Sequence, residues 1–223
     1  MKNILVFILI GFLLGGCQSL FLTNQNVFDN HVCQSPCWMN ITPGITTKEE
    51  ALTILSKISF VDQPSVDMHR SVIGFDDEIQ FSVYSDRTAG WIYLSADRVS
   101  MIGFENNLSL TMQSATNLFG TPENMLVIRT SLFDGVTLLN AKKGVEFDYR
   151  LSEFQSLDTS NIQPNTKIYG VTFFDPNHYQ QVLNSGILSS YALNSSDTTK
   201  NLKPWNGYGS FKDKYWPPAT PSQ

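Results

Sequence analysis

The stretch from Cys33 to Leu55 constrains the fold most, because it combines a cysteine pair, a tryptophan, a Pro-Gly turn and a helix start. Three residues separate Cys33 from Cys37, and a pair this close predicts a disulfide that fixes the shape of a tight turn. Two alternatives are a redox-active pair, which more often has the spacing C-x-x-C, and half of a zinc site, which needs two further ligands. We expect Trp38 to anchor the core rather than to stack on a ligand.

A helix is predicted to follow this pair, over residues 47–58. Thr47 is a good N-cap, and Glu50 completes a capping box in which the two residues satisfy free N–H groups of the first turn. Pro43 and Gly44 favour a turn just before the helix. The apolar stripe of the helix consists of Ala51, Leu52, Ile54, Leu55 and Ile58.

The N-terminus has the pattern of an export signal, with Lys2 followed by an apolar run from Ile4 to Leu14. The run is shorter than the roughly 20 apolar residues that a transmembrane helix needs. The sequence Leu14-Gly15-Gly16-Cys17 resembles the lipobox of bacterial lipoproteins. In that family the signal is cut before the cysteine, which carries the lipid, so the resemblance implies that Cys17 is lipidated. An ordinary signal peptide cut nearby is the alternative.

A lipid at Cys17 implies a protein anchored on the extracytoplasmic side of the cell membrane, or in the outer membrane if the cell has one. It also leaves Cys33 and Cys37 as an even pair, in a compartment where a disulfide persists. A formal net charge of −5, without basic clusters, argues against a nucleic-acid partner. The apolar fraction of 42% is sufficient for a packed core.

The order of helical and alternating segments indicates an α+β protein. The helix at 47–58 precedes alternating strands within 71–104. A second helix from Leu108 to Phe119, capped by Ser109 and stopped by Gly120, precedes strands near 125–130, 135–140 and 145–149. We therefore predict two tandem units, each a helix packed on an antiparallel β-meander.

These assignments divide the chain into five parts. They are a signal peptide (1–16), a lipidated tether (17–30), a first unit (31–105), a second unit with an extra strand and helix (106–188), and an irregular, aromatic and Pro-rich tail (189–223).

Two family resemblances support this organisation. Pro36-Cys37-Trp38, followed by Ile41-Thr42-Pro43-Gly44 and Thr46-Thr47, is similar to a group of uncharacterised bacterial lipoproteins. The segment from Pro43 to Ala51 resembles the Gly-x-Thr-x-x-Glu helix start of outer-membrane-assembly lipoproteins of the SmpA/OmlA type, and Phe119-Gly120-Thr121-Pro122 resembles their Leu-Gly-x-Pro helix end. Those proteins, and tandem β-lactamase-inhibitor proteins of related fold, pack helices on an antiparallel sheet and bind other proteins. The resemblance implies a similar fold and a binding role.

Motifs that carry chemistry are missing from the sequence. It has no Gly-x-Ser-x-Gly, Walker-type or G-x-G-x-x-G motif, so we predict neither catalysis nor a cofactor. None of His31, His69 and His178 lies at helical spacing from another histidine or from a cysteine, so no metal site is expected. Asp76-Asp77-Glu78 is interpreted as a solvated turn rather than a weak cation site. Asp175-Pro176-Asn177-His178 is interpreted as the capped start of a short helix rather than a site.

Aromatic residues of the tail are the candidate ligand contacts, because aromatic faces stack on glycan rings; the other interpretation is that they cover the edge of the core. These candidates are Trp205, Tyr208, Tyr215 and Trp216. The favoured function is non-catalytic binding of a protein or another envelope component through the open face of the sheet. Binding of a glycan or small ligand is the alternative, and a hydrolase whose residues meet only in space is the third possibility.

Overall fold

A computed structural model describes residues 27–28, 33–71, 74–83, 88–129, 134–151, 159–179 and 202–215. These residues form a sheet-rich structure with three short α-helices, α1 (Lys48–Leu55), α2 (Met112–Phe119) and α3 (Phe211–Tyr215). The strands are β1 (Val61–Arg70), β2 (Asp77–Val83), β3 (Thr88–Ser95), β4 (Arg98–Glu105), β5 (Asn124–Arg129), β6 (Asp134–Asn140), β7 (Val145–Arg150), β8 (Asn161–Ile162), β9 (Gly170–Phe174), β10 (Leu202–Pro204) and β11 (Gly209–Ser210).

Nine of these strands form one antiparallel sheet in the order β1-β2-β3-β4-β9-β7-β6-β5-β10, and β8 pairs with β11. The sheet has a first half, β1–β4, and a second half, β5, β6, β7, β9 and β10. The halves meet where β4 pairs with β9, with Met101 opposite Phe174 and Phe104 opposite Val171. The prediction of an antiparallel sheet accompanied by a few helices is therefore confirmed at this coarse level.

Helix α1 begins where the sequence predicts it to begin. The Thr47 side chain accepts a hydrogen bond from the Glu50 backbone N–H at 3.3 Å, and the Glu50 carboxylate accepts one from the Thr47 backbone N–H at 2.9 Å. This reciprocal pair is a capping box. Ala51 and Leu55 face the core, and the helix ends at Leu55, three residues earlier than predicted.

Helix α2 begins later than the sequence indicates, because its N-cap is Thr111 and not Ser109. The cap residue Thr111 is extended and forms a β-bridge with Lys167, and the carbonyl of Leu110 accepts a hydrogen bond from the backbone N–H of Ile168 at 3.0 Å. Leu110 is buried in that position. A pairing distant in sequence therefore displaces the first turn of the predicted helix. The predicted stop at Gly120 is confirmed, since this residue has a positive φ of 93°.

Strand β1 was not predicted from the sequence, because its pattern lacks the alternation typical of a half-buried strand. It lies at one edge of the sheet, and its pairing with β2 shifts between Asp62 and Asp67. Within this bulge, the Ser65 hydroxyl accepts a hydrogen bond from the Ser82 backbone N–H at 2.7 Å. The bulge interrupts the flat edge to which another strand would add.

The tail also differs from the prediction of an irregular segment. Its described part contains β10, which extends the large sheet beyond β5, and then β11 and α3. Phe211 at the start of α3 is fully buried, and its backbone N–H donates to the Ser160 carbonyl at 3.0 Å. Packing of this aromatic side chain orders a segment whose glycines and prolines indicate irregular structure.

Aromatic side chains fill the core beneath the helices. Trp38 is 1% exposed, its ring centroid lies 4.6 Å from that of Phe104, and its indole N–H donates to the Val27 carbonyl at 3.2 Å. Phe28 packs edge-on against Phe104 of β4 and Phe173 of β9, and so contacts both halves of the sheet. Trp38 therefore has the predicted position of a core residue.

Candidate binding face of the sheet

The sheet presents two faces, because successive side chains of a strand point to opposite sides. The core residues of α1 and α2 cover one face, where Phe119 of α2 lies 5.5 Å from Phe173 between ring centroids. We call the opposite side the second face. A separate, smaller apolar cluster lies there, formed by Phe75, Tyr93, Met101, Leu126, Leu139 and Phe174.

Strand pairing arranges the side chains of the second face in rows across the sheet, since directly paired residues share a face. The central row consists of Asp67, Gln80, Trp91, Gly103, Thr172 and Glu146. The row on one side consists of His69, Glu78, Tyr93, Met101 and Phe174. The row on the other side consists of Asp62, Ser82, Ala89, Glu105, Gly170, Asp148 and Thr137.

Three aromatic rings form a platform on the first half of the second face. The ring centroids of Trp91 and Tyr93 are 4.8 Å apart, and Phe75 stacks on Tyr93 at 5.0 Å. Trp91 lies directly over Gly103, since a Cβ at position 103 would overlap the six-membered ring of the indole. The glycine thus holds the indole against the sheet. Trp91 remains partly exposed, whereas Phe75 and Tyr93 are buried. The aromatic platform is defined as Phe75, Trp91 and Tyr93.

Acidic and amide groups surround the aromatic platform. Glu78, opposite Tyr93, is 7% exposed and accepts a hydrogen bond from the side-chain amide of Gln80 at 2.8 Å. Gln80 itself is exposed and lies opposite Trp91. At the edge of the sheet, His69 Nδ1 lies 3.4 Å from a carboxylate oxygen of Asp67. The described residues that β1–β4 contribute to the three rows include four carboxyl groups, of Asp62, Asp67, Glu78 and Glu105, and no lysine or arginine.

Arg150 and Glu105 link the two halves across the second face. Their nearest charged atoms are 3.4 Å apart, across the position of Gly170 on the intervening strand β9. The guanidinium of Arg150 also lies 3.7 Å from the ring centroid of Tyr169, within the range of a cation–π contact. This contact fixes the cationic group at the boundary between the halves.

Two carboxyl groups, the acid pair Glu146 and Asp148, lie on β7 in the second half. Glu146 is 1% exposed, and its Oε2 has no hydrogen-bond partner in the described part of the chain. Burial raises the pKa of Glu146 well above its usual range, and the neighbouring Asp148 carboxyl raises it further, against a hydrogen bond from Thr172. Burial also raises the pKa of Asp148 to about 6, despite the Thr137 hydroxyl that donates to it. The environment of Glu146 therefore favours the protonated, neutral form of its carboxyl group.

The predicted ligand contacts of the tail are largely used inside the protein. Tyr215 is 4% exposed, and its hydroxyl accepts from the Asn206 backbone N–H and donates to the Gly207 carbonyl, both at 3.1 Å. Trp205 stacks on Tyr215 with centroids 5.9 Å apart, and Tyr208 contacts Trp205 edge-on. The ring and the hydroxyl of Tyr215 are thus both occupied within the protein, and its role as a ligand contact stays a prediction. Trp216 lies outside the described residues.

The acidic run at 76–78 is divided among separate partners. Asp76 accepts from the Ala96 backbone N–H at 2.7 Å, Asp77 pairs with Lys48 at 3.3 Å, and Glu78 turns to the second face. The three carboxylates therefore do not converge on one point. Within the described residues, no group of three or more histidine, cysteine or acidic side chains is placed to hold a metal ion.

Asp175 caps a short 3-10 helix at Pro176–His178, where the sequence predicts a helix start. Burial opposes ionisation of Asp175, but hydrogen bonds from the Asn177 backbone N–H and from His178 hold its pKa below the usual range. The imidazole Nδ1 lies 2.7 Å from the carboxylate. A Cβ at Gly44 would overlap this carboxylate, so Asp175 also fits against the turn that precedes α1. Asp175 and His178 therefore have a structural role at the start of this helix, as the sequence interpretation proposes.

Cys33 and Cys37 are joined by a disulfide with a Cα–Cα distance of 5.6 Å, as the sequence predicts. Cys17 lies outside the described residues, so its lipidation stays a prediction. No helix in the described ranges combines the length and apolarity needed to cross a bilayer.

The sequence analysis missed the aromatic platform and the acid pair. A signal for the platform exists, since Trp91 and Tyr93 alternate with Gly90, Ile92 and Leu94 on a strand with apolar residues on both sides. Such a strand places aromatic rings on the face away from the helices. Comparisons with protein-family models, with curated proteins and with solved structures gave no match to this chain.

Proposed function

We propose that this protein is a bacterial lipoprotein, anchored through Cys17 on the extracytoplasmic side of a membrane, that binds an envelope protein through the second face of its sheet. The lipobox-like sequence before Cys17 and the Cys33–Cys37 disulfide support the location. The observation that carries the binding role is the partly exposed aromatic platform beside the exposed Gln80. Tryptophan and tyrosine are enriched among the residues that dominate protein interfaces.

The proposal includes two tandem units that share the large sheet. In support, each half is preceded by a capped helix, and β4 of the first half pairs with β9 of the second half at the centre of the sheet. The free β1 edge is a poor alternative to the face. The β1 edge carries a bulge and Pro64, and the Asp67 carboxylate accepts from the neighbouring Met68 backbone N–H at 2.9 Å. Such features discourage addition of a strand.

Site-specific photocrosslinking in intact cells tests the binding face. Gln80 on the second face is replaced by p-benzoylphenylalanine, and the matched control carries the same residue at Leu118, a 46% exposed position on α2. We expect a discrete adduct with one envelope protein from position 80 and no such adduct from position 118. Identical adducts from both positions, or none from position 80, would refute the second face as the binding surface.

Membrane fractionation of a Cys17→Ser variant tests the anchor separately. The unmodified chain is expected in the membrane fraction, and the variant, which lacks the acylated sulfur, in the soluble fraction. A Cys17→Ser protein that remains with the membranes would contradict the lipoprotein assignment without affecting the crosslinking result.

A further inference from the structure

We infer that the aromatic platform recognises a cationic segment of the partner, with a lysine or arginine side chain placed against Trp91. The inference rests on the proposed binding function and specifies the chemistry of the partner. Its basis is the combination of an indole ring held against the sheet with carboxyl groups on the strands around it.

The indole provides the first part of the recognition. Because Trp91 lies over Gly103, its position is set by the sheet and does not need to be ordered on binding. Tyr93, at 4.8 Å between centroids, supports it from the neighbouring row. Tryptophan is the aromatic side chain that attracts a cation most strongly, and a ring that is already fixed loses little entropy when it does so.

The carboxyl groups provide the second part. Glu78 lies in the row of Tyr93 and Asp67 in the row of Trp91. Glu105, one row further on the neighbouring strand, is already paired with Arg150. A cation placed on the indole therefore lies beside the rows that hold the carboxyl groups of Asp67 and Glu78. His69 is the one basic side chain that β1–β4 place in these rows among the described residues, and it lies at the sheet edge beside Asp67. Complementary charge of this kind selects a basic partner and repels an acidic one.

The other cationic groups nearby leave the platform accessible to a ligand. Arg150 is directed to Glu105 and the ring of Tyr169. Arg98, at the end of the β3–β4 hairpin, donates to the Ile45 carbonyl at 2.6 Å. Among the described residues, the contacts given for these two guanidinium groups are with partners other than Glu78 and Asp67.

Binding of a labelled octalysine peptide to the full chain in neutral detergent, measured by fluorescence anisotropy at low salt, tests the inference. We expect the affinity to fall about three- to tenfold in Trp91→Ala, a change that leaves the net charge unaltered. Trp91→Phe should retain part of the affinity, and octaglutamine should not bind. A Glu78→Gln variant should also bind more weakly, while Asp213→Asn, at an exposed carboxyl on α3, should match the unmodified chain.

Equal affinity of Trp91→Ala and the unmodified chain would overturn the inference, as would equal losses in Glu78→Gln and Asp213→Asn, which indicate attraction to the overall charge. Circular dichroism of each variant verifies that it is folded, and Trp91→Phe preserves the test if the alanine variant is not. If the crosslink from position 80 forms but octalysine shows no dependence on Trp91, the binding face stands and the cationic class is wrong.

Discussion

On the second face of the sheet, the first half leaves Gln80 exposed and Trp91 partly exposed, whereas the second half buries Leu126, Leu139 and Phe174 completely. Both halves cover their other face with a capped helix and a shared aromatic core. The two halves are thus packed in the same way on the helix-covered face. They differ in the exposure of their side chains on the second face.

The carboxyl groups follow the same division. In the first half, Asp67 is exposed to water, and Glu78 accepts a hydrogen bond from Gln80. In the second half, Glu146 is buried with one oxygen unpartnered. Burial and the neighbouring Asp148 carboxyl raise the pKa of Glu146, so this position favours the protonated, neutral form. An exposed carboxyl group such as that of Asp67 is accessible to a ligand, which is why we assign binding to the first half.

The largest expected effect is the loss of stability in Trp38→Ala. The same measurement shows whether the two halves of the sheet unfold together. Trp38 packs within the first half, and Trp38→Ala should lower the free energy of unfolding by about 3–5 kcal/mol through the cavity it leaves. Because Phe28 and the β4–β9 pairing join the halves, we expect one unfolding transition in urea. Circular dichroism and fluorescence of the remaining tryptophans should give the same midpoint. Two separated transitions would mean that the halves are independent domains.

An intermediate effect is expected from the acid pair. The folded-state pKa of Glu146 is raised, so the folded state favours the protonated form and loses stability as the pH rises from the unfolded pKa through the folded one. Glu146→Gln mimics the neutral form and should raise the free energy of unfolding at pH 8 by about 1–3 kcal/mol, with little change at pH 4. Urea unfolding at both pH values measures this.

The matched control for the acid pair is Asp67→Asn, an exposed carboxyl of the first half. It should change stability by less than about 0.5 kcal/mol at either pH. A Glu146→Gln variant that is equally stabilised at pH 4 and pH 8, or destabilised at both, would contradict the raised pKa of Glu146.

The smallest expected effect is that of removing a helix N-cap. The loss of stability should be similar for the helix of either half. Thr47→Ala and Thr111→Ala each remove the side-chain acceptor at an N-cap, and each should lower the free energy of unfolding by about 1 kcal/mol. Thermal unfolding of both variants measures the two losses of stability. A loss confined to one of them would show that only one helix depends on its cap.

Local features of the fold were predictable from sequence. The Thr47–Glu50 box and the Gly120 stop depend on residues a few positions apart, and the Cys33–Cys37 pair spans a short loop. Alternation likewise located strands near β2, β3, β5, β6 and β7. These sequence signals are reliable where the local hydrogen bonds and the periodicity of apolar side chains favour the same secondary structure.

Predictions from the sequence failed where contacts with distant residues override the local preference of a segment for helix, strand or loop. The start of α2 moved from the expected Ser109 cap to Thr111 because Leu110 pairs with Ile168, and the tail acquired regular structure because Phe211 packs into the core. Strand β1, whose pattern lacks alternation, is defined by its pairing with β2. No pattern within the segment itself reports such contacts.

The sequence by itself determined the Thr47–Glu50 cap, the Gly120 stop, the disulfide pair, several of the antiparallel strands and the apolar content of the core. Tertiary structure decided which residues share the second face, because strand order and register depend on pairings far apart in the chain. The pairing of β3 with β4 sets Trp91 over Gly103, and the insertion of β9 between β4 and β7 brings Glu105 within reach of Arg150. The candidate site is therefore a property of the assembled sheet, since its residues become neighbours only when the strands pair.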